Sequence, residues 1–168
     1  ESIHKIFELA EYKEIDEKNR MLIVSGCLSK RYSEALFQEM PEVDIFLGVN
    51  EYERLPEILA GHKDREIQVG ECSEQFLEIK ERKLMDNPYS ATLRIAEGCD
   101  NVCAYCVIPH IRGHYRSRKE EDILKEAQWL VEQGCKEIIL IAQDVTAYGI
   151  DLYGEFRLAK LVKKLCGI

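Results

Sequence analysis

Residues 91–106, ATLRIAEGCDNVCAYC, join an apolar stretch to a loop that carries three cysteines. The apolar residues 91–98 have the character of a buried strand, and the cysteine loop follows at its carboxyl end. Folds with parallel strands place their ligands at that end of the sheet. The sequence therefore predicts that Cys99, Cys103 and Cys106 lie together at a ligand-binding edge.

Strands and helices alternate along the chain, which predicts an α/β fold. We expect part of an open doubly wound domain over residues 1–61, a linker over 62–90, and the first two β/α units of a partial TIM-like barrel over 91–168. The short apolar stretch EIQVG, residues 66–70, suits an edge hairpin within the linker. The expected strands are 21–26, 43–48, 91–98 and 136–144, and the expected helices are 1–14, 29–40, 50–61, 119–134 and 156–168.

The helix over residues 29–40 has recognisable ends. Ser29 is a residue type that caps helix amino termini, and Pro41 stops the helix. Helical spacing predicts four residues on its inner face: Tyr32, Ala35, Leu36 and Met40.

Composition limits the classes of partner. The 168 residues carry a formal charge of −8, which argues against broad, charge-driven binding of nucleic acid. No apolar run approaches the eighteen residues of a membrane span, so we expect no membrane partner. Seven cysteines, three of them in one loop, suit a metal site in a reducing cytosol better than a disulfide framework.

The cysteine spacing by itself leaves two inorganic centres open. In a Cys₃His zinc site, His110 or His114 would be the fourth ligand. In an iron–sulfur cube, the three cysteines would hold three irons and the fourth iron would stay open. A ferredoxin-like carrier would need a fourth cysteine, and none of the other nearby cysteines stands out for this role, so we expect them to be structural thiols: Cys72, Cys135 and Cys166.

The residues in and around the cysteine loop resemble those of a known family. The pattern C-x₃-C-x₂-C with Tyr105 before its last cysteine resembles the signature of radical S-adenosylmethionine (SAM) enzymes. The stretch RIAEGCDNVCAYCVIPHIRGHYRSR, residues 94–118, is similar to the methylthiotransferases within that superfamily. The stretch IAQDVTAYGIDLYG, residues 141–154, resembles the branch that modifies a ribosomal protein.

This resemblance implies a site and a cofactor set. Residues 91–168 would begin a radical SAM barrel, and Cys99, Cys103 and Cys106 would bind a [4Fe–4S] cluster whose open iron binds SAM. Three further residues would lie against SAM: Tyr105, Gln143 and Asp144. Cys27, in VSGCLSKRY, would help to hold a second [4Fe–4S] cluster, with two more cysteine ligands expected upstream of residue 1. On this interpretation the sequence is a fragment, and no catalytic residue is assigned.

The resemblance also implies a reaction. The full-length protein would methylthiolate the β-carbon of an aspartate in the twelfth protein of the small ribosomal subunit, drawing electrons from a low-potential donor of the flavodoxin or ferredoxin type. The alternative within the family is methylthiolation of adenosine in transfer RNA. A local basic cluster would be either a solvated loop or a contact for the SAM carboxylate or an acidic substrate: Arg112, Arg116 and Arg118.

Overall fold

The computed structural model describes residues 2–15, 20–62, 64–72, 74, 76, 78, 82–84 and 89–168. The chain divides into two compact units, Glu1–Cys72 and Ser73–Ile168. Both are built from strands alternating with helices, so the α/β class is confirmed. Among the described residues, no helix has the length and apolar character needed to cross a membrane.

The amino-terminal unit contains a three-stranded parallel sheet. Its elements are α1 (Ser2–Glu14), β1 (Ile23–Ser25), α2 (Cys27–Glu39), β2 (Ile45–Leu47), a 3-10 turn (Tyr52–Arg54), α3 (Leu55–Gly61) and β3 (Glu66–Gln68). The strand order is β1–β2–β3. Val24 and Phe46 pack against α1 and α2, whereas Ile45 and Leu47 pack against α3 on the opposite face. Helices therefore cover both faces of this sheet, because side chains alternate along each strand.

Helix α2 differs from the expectation in two respects. It begins at Cys27, directly after Gly26, so Ser29 is not its cap; the Ser29 side chain is buried in the first turn instead. The backbone also leaves helical geometry at Tyr32, with φ −129° and ψ 22°, which rotates part of the expected inner face outward. Two of the four expected residues are buried, Leu36 and Met40, and two are exposed, Tyr32 and Ala35.

The segment 62–90, expected to be a linker, contributes a strand to the first sheet. Strand β3 pairs in parallel with β2, with Ile67 opposite Phe46, so within the described residues EIQVG forms an edge strand and not an arm of a hairpin. Ile67 packs against the core of the amino-terminal unit, which gives this short stretch its place in the sheet. The turn expected in DNPYS, residues 86–90, lies largely outside the described residues.

The carboxy-terminal unit contains two short sheets. Its elements are β4 (Ser90–Arg94), β5 (Ala96–Glu97), α4 (Ile108–Arg112), β6 (Arg116–Ser117), α5 (Glu120–Glu132), β7 (Glu137–Ile141), α6 (Ile150–Tyr153) and α7 (Leu158–Leu165). Strands β4 and β7 pair in parallel, and β5 pairs antiparallel with β6. The described residues form no closed barrel.

Helices α5 and α7 cover one face of the β4–β7 sheet. Leu93 of β4, Ile123 of α5 and Leu161 of α7 are completely buried in one apolar cluster. On the other face of the sheet, Ile139 and Ile141 are 46% and 39% exposed. Helices α5 and α7 therefore pack on one face of the β4–β7 sheet. The carboxyl ends of its strands lead into the loops that follow.

We predict that Ile123→Ala destabilises the carboxy-terminal unit by about 2–5 kcal/mol, because it leaves a cavity where the sheet meets α5. Val131→Ala is the matched control, since Val131 lies on the same helix but is 38% exposed. Urea unfolding followed by circular dichroism measures both. Equal effects of the two substitutions would contradict this description of the core.

Candidate functional site: the cysteine loop

The cysteine loop, residues 98–107, connects β5 to α4 and passes close to the backbone that follows α4. Gly98 has φ +80°, and a Cβ built on it would lie 2.1 Å from the carbonyl oxygen of His114. Only glycine fits this position, because the approach is too close for any side chain. The Cys99 amide donates to the Gly113 carbonyl at 3.2 Å, so the two ends of the loop are joined by backbone.

A buried carboxylate stabilises both ends of the loop. Glu97, the last residue of β5, accepts hydrogen bonds from Arg94 and Arg112, each with an N···O distance of 2.6 Å. The Glu97 side chain is 9% exposed, and the two arginines come from the end of β4 and the end of α4. Sequence reasoning missed Glu97, although an acidic residue at the end of an apolar strand was a signal for it.

The three cysteines of the loop differ in exposure. Cys99 is buried, Cys106 is half-buried and Cys103 is exposed. The Cys106 amide donates to the Cys103 carbonyl at 3.0 Å, which forms a turn between these two residues. None of the seven cysteines forms a disulfide, so all three thiols of the loop are available as ligands. Tyr105, between them, is 93% exposed.

The residues after β7 make direct contacts with the loop. Gln143 Oε1 accepts the Gly98 amide hydrogen at 2.7 Å. Asp144 Oδ2 accepts a hydrogen bond from Asn101 Nδ2 at 3.0 Å. The structure thus places Gln143 and Asp144, which were expected to lie against SAM, beside the cysteine loop. Their contacts are with the loop itself, which the sequence did not reveal.

Asp144 is held as a carboxylate by its neighbours. Its Oδ1 accepts hydrogen bonds from the Thr146 hydroxyl at 2.6 Å and from the Thr146 amide at 3.0 Å. The Thr146 hydroxyl and, to a lesser extent, Asn101 lower the pKa of Asp144 below its usual value. Asp144 is thus ionised at neutral pH and can only accept hydrogen bonds.

The histidines expected to complete a zinc site do not gather around the thiols. His110 and His114 are both exposed, and His114 Nδ1 lies 2.8 Å from Asp100 Oδ1. Within the described residues, no three Cys, His, Asp or Glu side chains stand close enough to hold one metal ion.

The basic cluster was expected to be either a solvated loop or a contact for an anionic group, and in the structure its arginines are engaged within the chain. Arg112 binds Glu97, and Arg116 donates to the carbonyls of Arg112 and His114. Arg118 is buried and forms ion pairs with Glu78 and Glu126. The expectation of a solvated loop is wrong, because each guanidinium forms hydrogen bonds or ion pairs within the chain.

In the amino-terminal unit, Cys27 is the first residue of α2 and is exposed. It lines a cavity of about 640 Å³ together with residues of α1 and β1, including Ile6, Leu9 and Ser25. Its position directly after a parallel strand is the position the sequence predicted. The remaining cysteines outside the loop differ in exposure: Cys135 is buried, Cys72 is half-buried and Cys166 is exposed.

We predict that Glu97→Gln lowers the free energy of unfolding by about 1.5–3 kcal/mol, since it removes the charge that both arginines bind. Glu155→Gln is the matched control, because Glu155 also contacts Arg157 and Lys160 but is far more exposed. Denaturant unfolding gives the stability, and hydrogen exchange reports the loop amides. The same small effect for both variants would contradict a structural role for Glu97.

Comparison with known proteins relates this geometry to a family. Residues 93–168 match the model of the radical SAM superfamily. The chain is 51% identical to the ribosomal protein uS12 methylthiotransferase RimO of Desulforamulus reducens, over 98% of this chain and 38% of that protein. It is 48% identical to the protein of the same name from Clostridium tetani, over 98% of the chain and 37% of the relative. The corresponding values for Acetivibrio thermocellus are 47%, 100% and 39%.

The chain thus spans less than two fifths of the length of these relatives, and the similarity extends across both of its units. The match to the superfamily covers the last two residues of β4, the cysteine loop and everything that follows. Residues 93–168 thus match the model of the radical SAM superfamily, and the chain as a whole is similar to a part of the ribosomal protein uS12 methylthiotransferases.

Proposed function

We propose that this chain is the part of a methylthiotransferase that binds the radical-generating cluster, and that the whole enzyme modifies the β-carbon of an aspartate in ribosomal protein uS12. The observation that carries the proposal is the cysteine loop, with three available thiols at the open ends of parallel strands. The similarity to uS12 methylthiotransferases over 98% or more of the chain supports the substrate branch.

The donor set fits a [4Fe–4S] cluster with one open iron. Cys99, Cys103 and Cys106 would be its three ligands, and their graded exposure leaves the outer thiols accessible during loading. Such a cluster would pass one electron from an external reductant to SAM, whose cleavage would give methionine and a 5′-deoxyadenosyl radical. Radical chemistry suits the aspartate β-carbon, because its C–H bond is not acidic enough for a protein base to remove the proton.

The chain's own residues orient and shield this chemistry. Gln143 and Asp144 fix the loop by binding Gly98 and Asn101, and both would lie against SAM. Tyr105 is exposed at the tip of the loop, where its ring can border the adenine of SAM. Glu97 with its two arginines keeps the ends of the loop in place.

Two further parts of the proposal concern the whole protein. The β4–α5–β7–α7 arrangement would form the first two β/α units of a partial barrel, and the parallel pairing of β4 with β7 supports this. Cys27 would be one ligand of a second [4Fe–4S] cluster that supplies sulfur, and its exposure beside a cavity supports this role. The electron donor would be a low-potential protein of the flavodoxin or ferredoxin type.

We predict that Cys103→Ala abolishes cube formation when the chain is reconstituted anaerobically with iron and sulfide, because the site then keeps only two thiolates. His110→Ala and the control Cys166→Ala should leave the iron content and the 400 nm absorption of this cluster unchanged. Zinc retained by the unmodified chain and lost in His110→Ala would contradict the proposal and establish a Cys₃His zinc site.

We predict that the full-length enzyme, supplied with SAM, a sulfur source and a low-potential reductant, adds a methylthio group to uS12 and none to transfer RNA. Mass spectrometry of both substrates after the reaction measures this, with a Cys99→Ala enzyme as the control that cannot react. A methylthio group found on transfer RNA alone would contradict the proposal that uS12 is the substrate. Redox cycling without cleavage of SAM would indicate that the protein is an electron carrier.

A further inference from the structure

The side chain of Asn101 links the end of β7 to one of the cluster cysteines. Its Nδ2 atom lies 3.0 Å from Asp144 Oδ2 and 3.3 Å from Cys99 Sγ. An amide nitrogen carries two hydrogens, so one atom can donate to both acceptors. The neighbouring residues of the loop tip, Val102 and Tyr105, point outward at 97% and 93% exposure.

Asp144 determines which end of the amide faces the sulfur. A carboxylate only accepts hydrogen bonds, so the atom of Asn101 beside Asp144 is the nitrogen and not the oxygen. Asp144 is itself fixed by the hydroxyl and the amide of Thr146. The chain of contacts therefore runs from Thr146 through Asp144 and Asn101 to Cys99, and it directs an N–H group at the Cys99 sulfur.

From this arrangement we infer that Asn101, oriented by Asp144, sets the reduction potential of the proposed cluster through an N–H···S hydrogen bond to Cys99. A donor of this kind withdraws electron density from the sulfur and so stabilises the reduced, more negative cluster. Asn101 is a positioning and tuning residue, since it contacts a ligand and not the reacting atoms. This inference rests on the proposed cluster and assigns a role in electron uptake to a residue outside the ligand set.

The test compares three reconstituted chains in an anaerobic potentiometric titration followed by electron paramagnetic resonance: the unmodified chain, Asn101→Leu and Val102→Ala. Leucine has nearly the shape of asparagine and no donor. We expect the Asn101→Leu cluster to form with the same iron and sulfide content and to have an equilibrium constant for reduction about threefold lower. That change equals about 28 mV for one electron, from 59 mV per tenfold. Val102→Ala should leave the potential unchanged.

A second measurement needs no substitution. When the unmodified chain is labelled with ¹⁵N-asparagine, pulsed electron paramagnetic resonance of the reduced cluster should detect a ¹⁵N coupling, because Asn101 is the asparagine of the cysteine loop. This measurement tests the hydrogen bond from Asn101 to Cys99 even if the Asn101→Leu chain fails to assemble a cluster.

The outcomes separate this inference from the proposed function. An intact cluster whose potential is the same in Asn101→Leu, or one without the ¹⁵N coupling, overturns the inference and leaves the enzyme assignment standing. An unmodified chain that forms no iron–sulfur cluster overturns both. An equal shift in Val102→Ala also overturns the inference, because the change would then come from general disturbance of the loop tip.

Discussion

The carboxylate of Glu97, buried between Arg94 and Arg112, is the interaction on which the cysteine loop depends. A buried carboxylate is tolerated only when it is paired and hydrogen-bonded, and here each oxygen has its own guanidinium. Because the two arginines lie on either side of the loop, the pair of ion contacts keeps the ends together. The three thiols between them are then held at a fixed place.

The parallel pairing of β4 and β7 brings the rest of the site to this loop. Their register places Arg94 opposite Ile141, so the segments that follow each strand begin at the same edge. Gln143 and Asp144 are more than forty positions from Gly98 and Asn101 in the chain, yet they form hydrogen bonds with them. The site is therefore a direct consequence of sheet topology, in the manner general for α/β proteins.

Much of this architecture could be predicted from local sequence. Helix α5 and strand β7 have strong apolar periodicity. The cysteine loop is recognisable from three cysteines within eight positions. The position of β3 could not be predicted in the same way, because a three-residue strand owes its pairing to the neighbour β2 and not to its own composition. The kink at Tyr32 could not be predicted either, since nothing in that residue forbids helical geometry.

The partners of charged residues were the least predictable feature of the site. Arg118 looked like a solvated or ligand-binding residue, but Glu78 and Glu126, forty and eight positions away, neutralise it in a buried ion cluster. Asn101 carried no signal at all in the sequence, because its importance depends on where Asp144 lies. Contacts between residues so far apart in the sequence can be identified only when the pairing of the strands is known.

The central claim is that the cysteine loop holds a cluster with an open iron that binds SAM. Electron paramagnetic resonance of the anaerobically reconstituted and reduced chain, recorded with and without SAM, tests it most directly. We expect a [4Fe–4S] signal whose g-values change when SAM is added, because SAM then binds the iron that has no cysteine ligand. A cluster signal that is identical with and without SAM, or a colourless protein that retains one zinc, would contradict it.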